Sequence, residues 1–168
     1  MSKEETLIKL LKEKNFRISC AESCTGGLFM STLINVAGAS AVINEGFITY
    51  ANEAKMKYLF VKEETLAHFG AVSEQTAVEM AQGLLKQTKA DVAVAITGIA
   101  GPDGGTKVKP VGTVYVACSI QGDTVVKLLR LHGDRLSIRT QAVSQTLNML
   151  IESIRNSEKK SFIYDSNI

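Results

Sequence analysis

The sequence predicts an α/β domain of three layers, α/β/α, built on a mixed sheet. Three observations predict it. Up to Thr97, short β-branched runs alternate with stretches whose apolar residues recur at helical spacing. Residues 91–97 form a near-continuous apolar run, as expected of a strand buried on both faces. Two β-rich stretches then flank Gln121-Gly122-Asp123, which reads as a hairpin and adds antiparallel strands to the sheet. A chain of 168 residues is most simply one domain, expected over residues 1–156, with a polar, irregular tail at 157–168.

The elements follow in order. Ser2 with Glu5 fits a capping box, and Leu7, Leu10 and Leu11 give the first helix its apolar face, with Asn15 ending it. A strand over 17–20 leads into Ala21-Glu22-Ser23-Cys24-Thr25-Gly26-Gly27, a turn into a helix marked by Leu28, Phe29, Leu33 and Val36. The glycines permit positive φ and a close ligand, and the N–H groups at the helix start are expected to face it. Residues 41–50 read as a strand, and Asn52 is expected to cap a short helix through Leu59, followed by another at 62–69. Ser73 starts the clearest helix, with Ala77, Met80, Ala81, Leu84 and Leu85 on one face. A glycine-rich loop spans 98–109, and strands over 110–117 and 124–131 enclose the hairpin turn. Gly133-Asp134 opens the last helix, whose core face is expected at Leu136, Val143, Leu147, Leu150 and Ile154.

Composition excludes several classes. A formal net charge of +2 is too small to argue for nucleic acid or an anionic membrane, and no apolar run approaches the ~20 residues of a membrane span. The three cysteines have neither a disulfide framework nor a zinc spacing, and two histidines leave little material for a metal site. The expected compartment is the cytoplasm, with no metal and no cofactor.

Four constellations can carry chemistry. Ser23 is a nucleophile or phosphate ligand at a helix start, or only an N-cap, the commonest use of Ser and Thr there. Lys55 lies one turn beyond Tyr50; it can act as a base only if burial or positive charge lowers its pKa, and most lysines are simply solvated. The loop after Thr97 leaves the carboxyl end of a strand, where open α/β sheets bind ligands, but it matches no nucleotide fingerprint. Arg135 and Arg139 share a helix face and suit bidentate phosphate binding, or form a solvated pair.

Taken together, these motifs resemble a known family. Ala21–Gly27, Gly46-Phe47-Ile48-Thr49-Tyr50-Ala51-Asn52-Glu53-Ala54-Lys55, Gly70-Ala71-Val72-Ser73, Gly98-Ile99-Ala100-Gly101-Pro102-Asp103-Gly104-Gly105, Lys109–Val114 and Gly133-Asp134-Arg135 occur in one order. That order is similar to the stand-alone C-terminal domain of the CinA family, the nicotinamide mononucleotide amidases (PncC-type). The resemblance covers residues 3–155 and not the larger N-terminal domain that many members carry. It implies hydrolysis of the carboxamide of nicotinamide mononucleotide to nicotinic acid mononucleotide and ammonia, in pyridine nucleotide recycling. By similarity Ser23 is the nucleophile and Lys55 its base, while Tyr50 and Thr97 assist. The nucleotide is expected against Thr25, Gly26, Gly27, Asn52, Gly101, Arg135 and Arg139, with Arg135 favoured over Arg139 for the main contact.

The chemistry is coherent with the residues. An amide needs a nucleophile, a proton acceptor and donors for the oxyanion, and N–H groups of residues 24–27 could serve the oxyanion or a phosphate. The alternative is a non-catalytic nucleotide-binding or regulatory module of a competence or DNA-damage response. The expected partner is a small nucleotide, with a C2 homodimer as the common assembly of small enzymes.

Overall fold

The computed structural model describes the backbone of residues 1–165 and the side chains of residues 1–157. A five-stranded mixed sheet runs in the order β2-β1-β3-β4-β5. Its strands are β1 (Ile18–Glu22), β2 (Ile43–Ile48), β3 (Val92–Gly98), β4 (Thr113–Ile120) and β5 (Asp123–Arg130). β2 and β3 pair parallel to β1, and β4 and β5 join by antiparallel pairing, so the expected mixed sheet is present. The β4–β5 turn places Gln121 at φ 50° and Gly122 at φ 98°, the double positive φ that suits a two-residue hairpin.

Helices cover both faces and complete the three layers. α1 (Lys3–Glu13), α2 (Leu28–Ile34) and α6 (Arg135–Asp165) pack on one face, where Leu7, Leu11, Phe29, Leu33, Ile138, Leu147 and Leu150 form a core with the sheet. α5 (Glu74–Thr88) covers the other face with Ala77, Met80, Ala81 and Leu84, and α3 (Asn52–Leu59) and α4 (Glu63–Phe69) pack on it. The two faces of β3 are both buried, which is why Val92 to Ile96 carries no polar alternation. α5 meets α3 closely at Gly83, where an added Cβ would lie 1.7 Å from the Leu59 carbonyl oxygen.

The capping box at Ser2 and Glu5 forms as expected, and Ser73 caps α5 by accepting from the Thr76 N–H. Three expectations change. Asn52 is the first residue of α3, not its cap; extended Ala51 holds the cap position without a side-chain bond. Leu136 is 63% exposed although it lies on the same helical face as Val143, Leu147 and Ile154; it stands in the first turn of α6, and the buried residues of that helix begin at Ile138. α6 continues to Asp165, into the stretch expected as an irregular tail, and residues 166–168 of that tail lie outside the described residues.

Chain direction sets where a ligand can sit. From β1 the chain crosses to β2 through α2 on one face. From β2 it returns over β1 to β3 through α3, α4 and α5 on the other face. The connections therefore diverge at the carboxyl ends of the parallel strands and leave a crevice there, the usual ligand position in open α/β sheets.

Candidate active site

A cavity of about 270 Å³ occupies that crevice. Ser23 enters it from the end of β1, Tyr50 and Lys55 from the turn after β2 and from α3, Thr97 from β3, Gly101 from the following loop, and Arg135 from the start of α6. Six residues named from the sequence thus meet on its walls although they span most of the chain. Thr25, Gly26, Gly27, Asn52 and Arg139 do not line it. Asp103, Val72 and Ala100 line it without having been singled out.

Ser23 is held by its backbone. Its N–H donates to the Ile96 carbonyl (2.9 Å), which ties the residue after β1 to β3, and the Gly26 N–H donates to its carbonyl (3.1 Å). The residue is 8% exposed and lines the cavity.

Lys55 is 1% exposed. Its Nζ donates to the Thr49 carbonyl (2.8 Å), the Tyr50 carbonyl (3.3 Å) and Ser23 Oγ (3.2 Å). No carboxylate pairs with it among the described residues. Burial therefore pulls its pKa below the ordinary lysine value, opposed only by the neighbouring Cys24 thiol. The sequence left Lys55 open between solvated and buried; the structure buries it.

Cys24, beside the nucleophile candidate, has the opposite character. It is buried, and burial pushes its thiol up to about 11, with Arg139 and Lys55 pulling against the shift. A thiol that stays protonated at neutral pH is a poor nucleophile.

The other walls are tied together by side chains. Thr97 Oγ1 donates to the Ala71 carbonyl (2.7 Å), joining β3 to the segment before α5. Arg135 Nη1 donates to the Gly101 carbonyl (2.7 Å) and its Nη2 to the Tyr50 hydroxyl (3.1 Å), so it links the turn after β2 to the loop after β3. Tyr50 is otherwise open, with 62% of its surface exposed. Arg139 turns away from the cavity and donates to the Cys24 carbonyl (3.1 Å) and the Thr25 carbonyl (2.7 Å). The two arginines, alike in the sequence, thus have different surroundings.

The sequence also led one to expect free N–H groups at the start of α2. They are taken. Glu22 Oε2 accepts from the Gly27 N–H (3.1 Å) and the Phe29 N–H (3.0 Å), and Oε1 accepts from the Met30 N–H (2.9 Å). Glu22 was read only as part of a motif; an acidic residue ending an apolar strand just before a helix start was the available signal. Thr25 Oγ1 and Thr49 Oγ1 are buried and have no hydrogen-bond partner among the described residues. Among the described residues no cluster of His, Cys, Asp or Glu is placed to hold a metal ion, and no helix is long and apolar enough to cross a membrane.

Comparison with known proteins adds to this geometry. Residues 1–154 match the family model of the CinA C-terminal domain. A CinA-like protein of Kosmotoga olearia is 54% identical over 149 residues, which is 89% of this chain and 36% of that protein. The chain spans about a third of the length of the curated relatives it matches. Among solved structures, the competence/damage inducible protein CihA from Agrobacterium tumefaciens superposes with a TM-score of 0.87 at 44% identity, covering 92% of this chain and 99% of that one. A CinA superfamily protein from Klebsiella pneumoniae gives a TM-score of 0.88 at 36% identity, covering 93% and 99%. By the family match over nearly its whole length and by these relatives, the chain belongs to the CinA C-terminal domain family.

Proposed function

We propose that this protein is an amidohydrolase that converts nicotinamide mononucleotide to nicotinic acid mononucleotide and ammonia. Ser23 is the nucleophile and Lys55 the base. The observation that carries the reading is the hydrogen-bond set of Lys55. An ammonium has three N–H donors, and all three are directed at oxygen here. On losing one proton the amine keeps two donors. The Thr49 and Tyr50 carbonyls can only accept, so they retain those two. The lone pair is then left for the Ser23 O–H. Burial without a carboxylate favours that neutral form.

The steps follow from this pair. Ser23 Oγ attacks the carboxamide carbon as Lys55 takes the hydroxyl proton. The tetrahedral intermediate collapses with cleavage of the C–N bond, and Lys55 returns the proton to the departing nitrogen, releasing ammonia and leaving an ester on Ser23. Water, deprotonated by Lys55, then cleaves the ester to the acid and restores Ser23. Tyr50 and Thr97 shape the wall beside the reacting group.

The phosphate belongs at Arg135. Glu22 already fills the anion position at the start of α2. Of the cations lining the cavity, Lys55 is buried and driven toward neutrality, whereas Arg135 presents a planar guanidinium suited to bidentate phosphate binding.

The test is ammonia release from nicotinamide mononucleotide by the purified chain and by Ser23→Ala and Lys55→Ala variants. Turnover by the wild type that both variants lose supports the reading. Thermal stabilisation by the nucleotide without ammonia would instead indicate a binding module.

A further inference from the structure

We infer that Glu22 is a positioning residue for Ser23, acting with Arg139 to clamp the turn that carries the nucleophile. This rests on the amidase reading above.

Glu22 is the last residue of β1 and is 1% exposed. A buried carboxylate is costly unless its charge is met by donors. No lysine or arginine bonds to it among the described residues. Instead three main-chain N–H groups of the Gly27–Met30 segment converge on its two oxygens, and the Cys20 thiol lies 3.7 Å from Oε1. Burial and this carboxylate together push the Cys20 thiol well above its ordinary pKa, so the thiol donates and does not compete as an anion.

The chain leaves the Glu22 backbone, makes the turn and returns its N–H groups to the Glu22 side chain. The turn is therefore closed on itself. Its outer side is held by Arg139, which takes the carbonyls of Cys24 and Thr25. Its base is held by the sheet, through Thr49 N–H to the Glu22 carbonyl (2.9 Å) and Ser23 N–H to Ile96 (2.9 Å). Neither Glu22 nor Arg139 lines the cavity. Both act on Ser23 through the main chain alone.

A capped helix needs one serine or aspartate, not a buried glutamate with three donors. What the larger arrangement adds is fixed placement of a hydroxyl that must stay within hydrogen-bonding reach of Lys55. A displacement of about 1 Å at a reacting centre can cost on the order of 100-fold in rate.

Glu22→Gln tests this. The amide keeps the shape but has one acceptor oxygen, so its NH2 must face either the Met30 N–H or the Gly27 and Phe29 pair. Two readouts are taken on the full chain: ammonia release from nicotinamide mononucleotide, and the rate at which a fluorophosphonate labels Ser23. The expected result is a loss of about 10- to 100-fold in kcat and in labelling rate, with KM within about twofold and the pH midpoint of kcat/KM unmoved. Labelling at the wild-type rate would overturn the inference. So would a raised KM with unchanged kcat, or a shifted pH midpoint, which would make Glu22 a proton-transfer group. If Glu22→Gln does not fold, Arg139→Gln takes its place under the same criteria. A wild type that labels but releases no ammonia defeats the substrate reading, while the labelling comparison still decides the role of Glu22. A wild type that does neither overturns both.

Discussion

The turns after β1 and after β2 deliver the two halves of the proposed reacting pair, and they are built in opposite ways. The first, carrying Ser23, is closed by a buried carboxylate on one side and a guanidinium on the other. Its charged groups are satisfied and point away from the cavity. The second, carrying Tyr50 and Lys55, has no side-chain cap, exposes Tyr50, and buries Lys55 against two carbonyls with no counter-ion among the described residues. On the proposed reading the first turn gives the nucleophile a fixed position, and the second gives the base a lowered pKa. Both turns bury an ionisable side chain: three main-chain N–H groups converge on Glu22, whereas Lys55 shares its protons with two carbonyls and a hydroxyl that can give up its own, and the contrast is one between partners that hold structure and a partner that can exchange a proton.

Several substitutions break or sharpen this contrast. Ser23→Ala has the largest expected effect, a loss of ammonia release by several orders of magnitude with the melting temperature little changed, since only a hydroxyl at the cavity wall is removed. Lys55→Met follows, with a loss of about 10²- to 10⁴-fold through the missing proton acceptor. Retention of near-normal kcat by either variant would dissolve the pair. Arg135→Ala is expected to raise KM by about tenfold with kcat largely kept, measured by steady-state ammonia release; a collapse of kcat at constant KM would instead put Arg135 at the reacting centre. Cys24→Ala has the smallest expected effect, within a few-fold in kcat, because a thiol held up to about 11 supplies no thiolate at neutral pH. Loss of activity as deep as in Ser23→Ala would make the sulfur the nucleophile.

Much of the scaffold was legible because it follows periodicity and capping. The apolar stripe of α5, the both-faces-buried run of β3 and the Ser2 and Ser73 caps come straight from residue spacing. The misplaced elements depended on neighbours. Leu136 fits the helical stripe of α6 in sequence, but it stands in the first turn, before the buried stretch that begins at Ile138. The members of the candidate site and their expected roles were named from hydroxyl, amine and glycine patterns together with family resemblance, yet the contacts that hold each side chain were not. Arg135 and Arg139 are one helical turn apart and chemically identical; only the fold aims one at the Tyr50 hydroxyl and the other at main-chain carbonyls. Glu22 was hidden for a related reason. Its partners are backbone N–H groups, which leave no mark in residue identity.

The most direct measurement is the pH dependence of kcat/KM for ammonia release from nicotinamide mononucleotide, taken beside the pH dependence of stability. On the proposed reading the active form is the neutral Lys55 amine, so the rate is expected to rise as pH climbs through a lysine pKa that burial has lowered, and to level off above it. Stability carries the same sign: between the lowered folded pKa and the ordinary unfolded value the unfolded chain binds the extra proton, so resistance to unfolding from this group increases with pH and the gain is absent below the folded pKa. The account predicts both rises in the wild type and the loss of the stability increment in Lys55→Met. A rate that is flat across this range, or that falls as Lys55 deprotonates, would contradict Lys55 as the base.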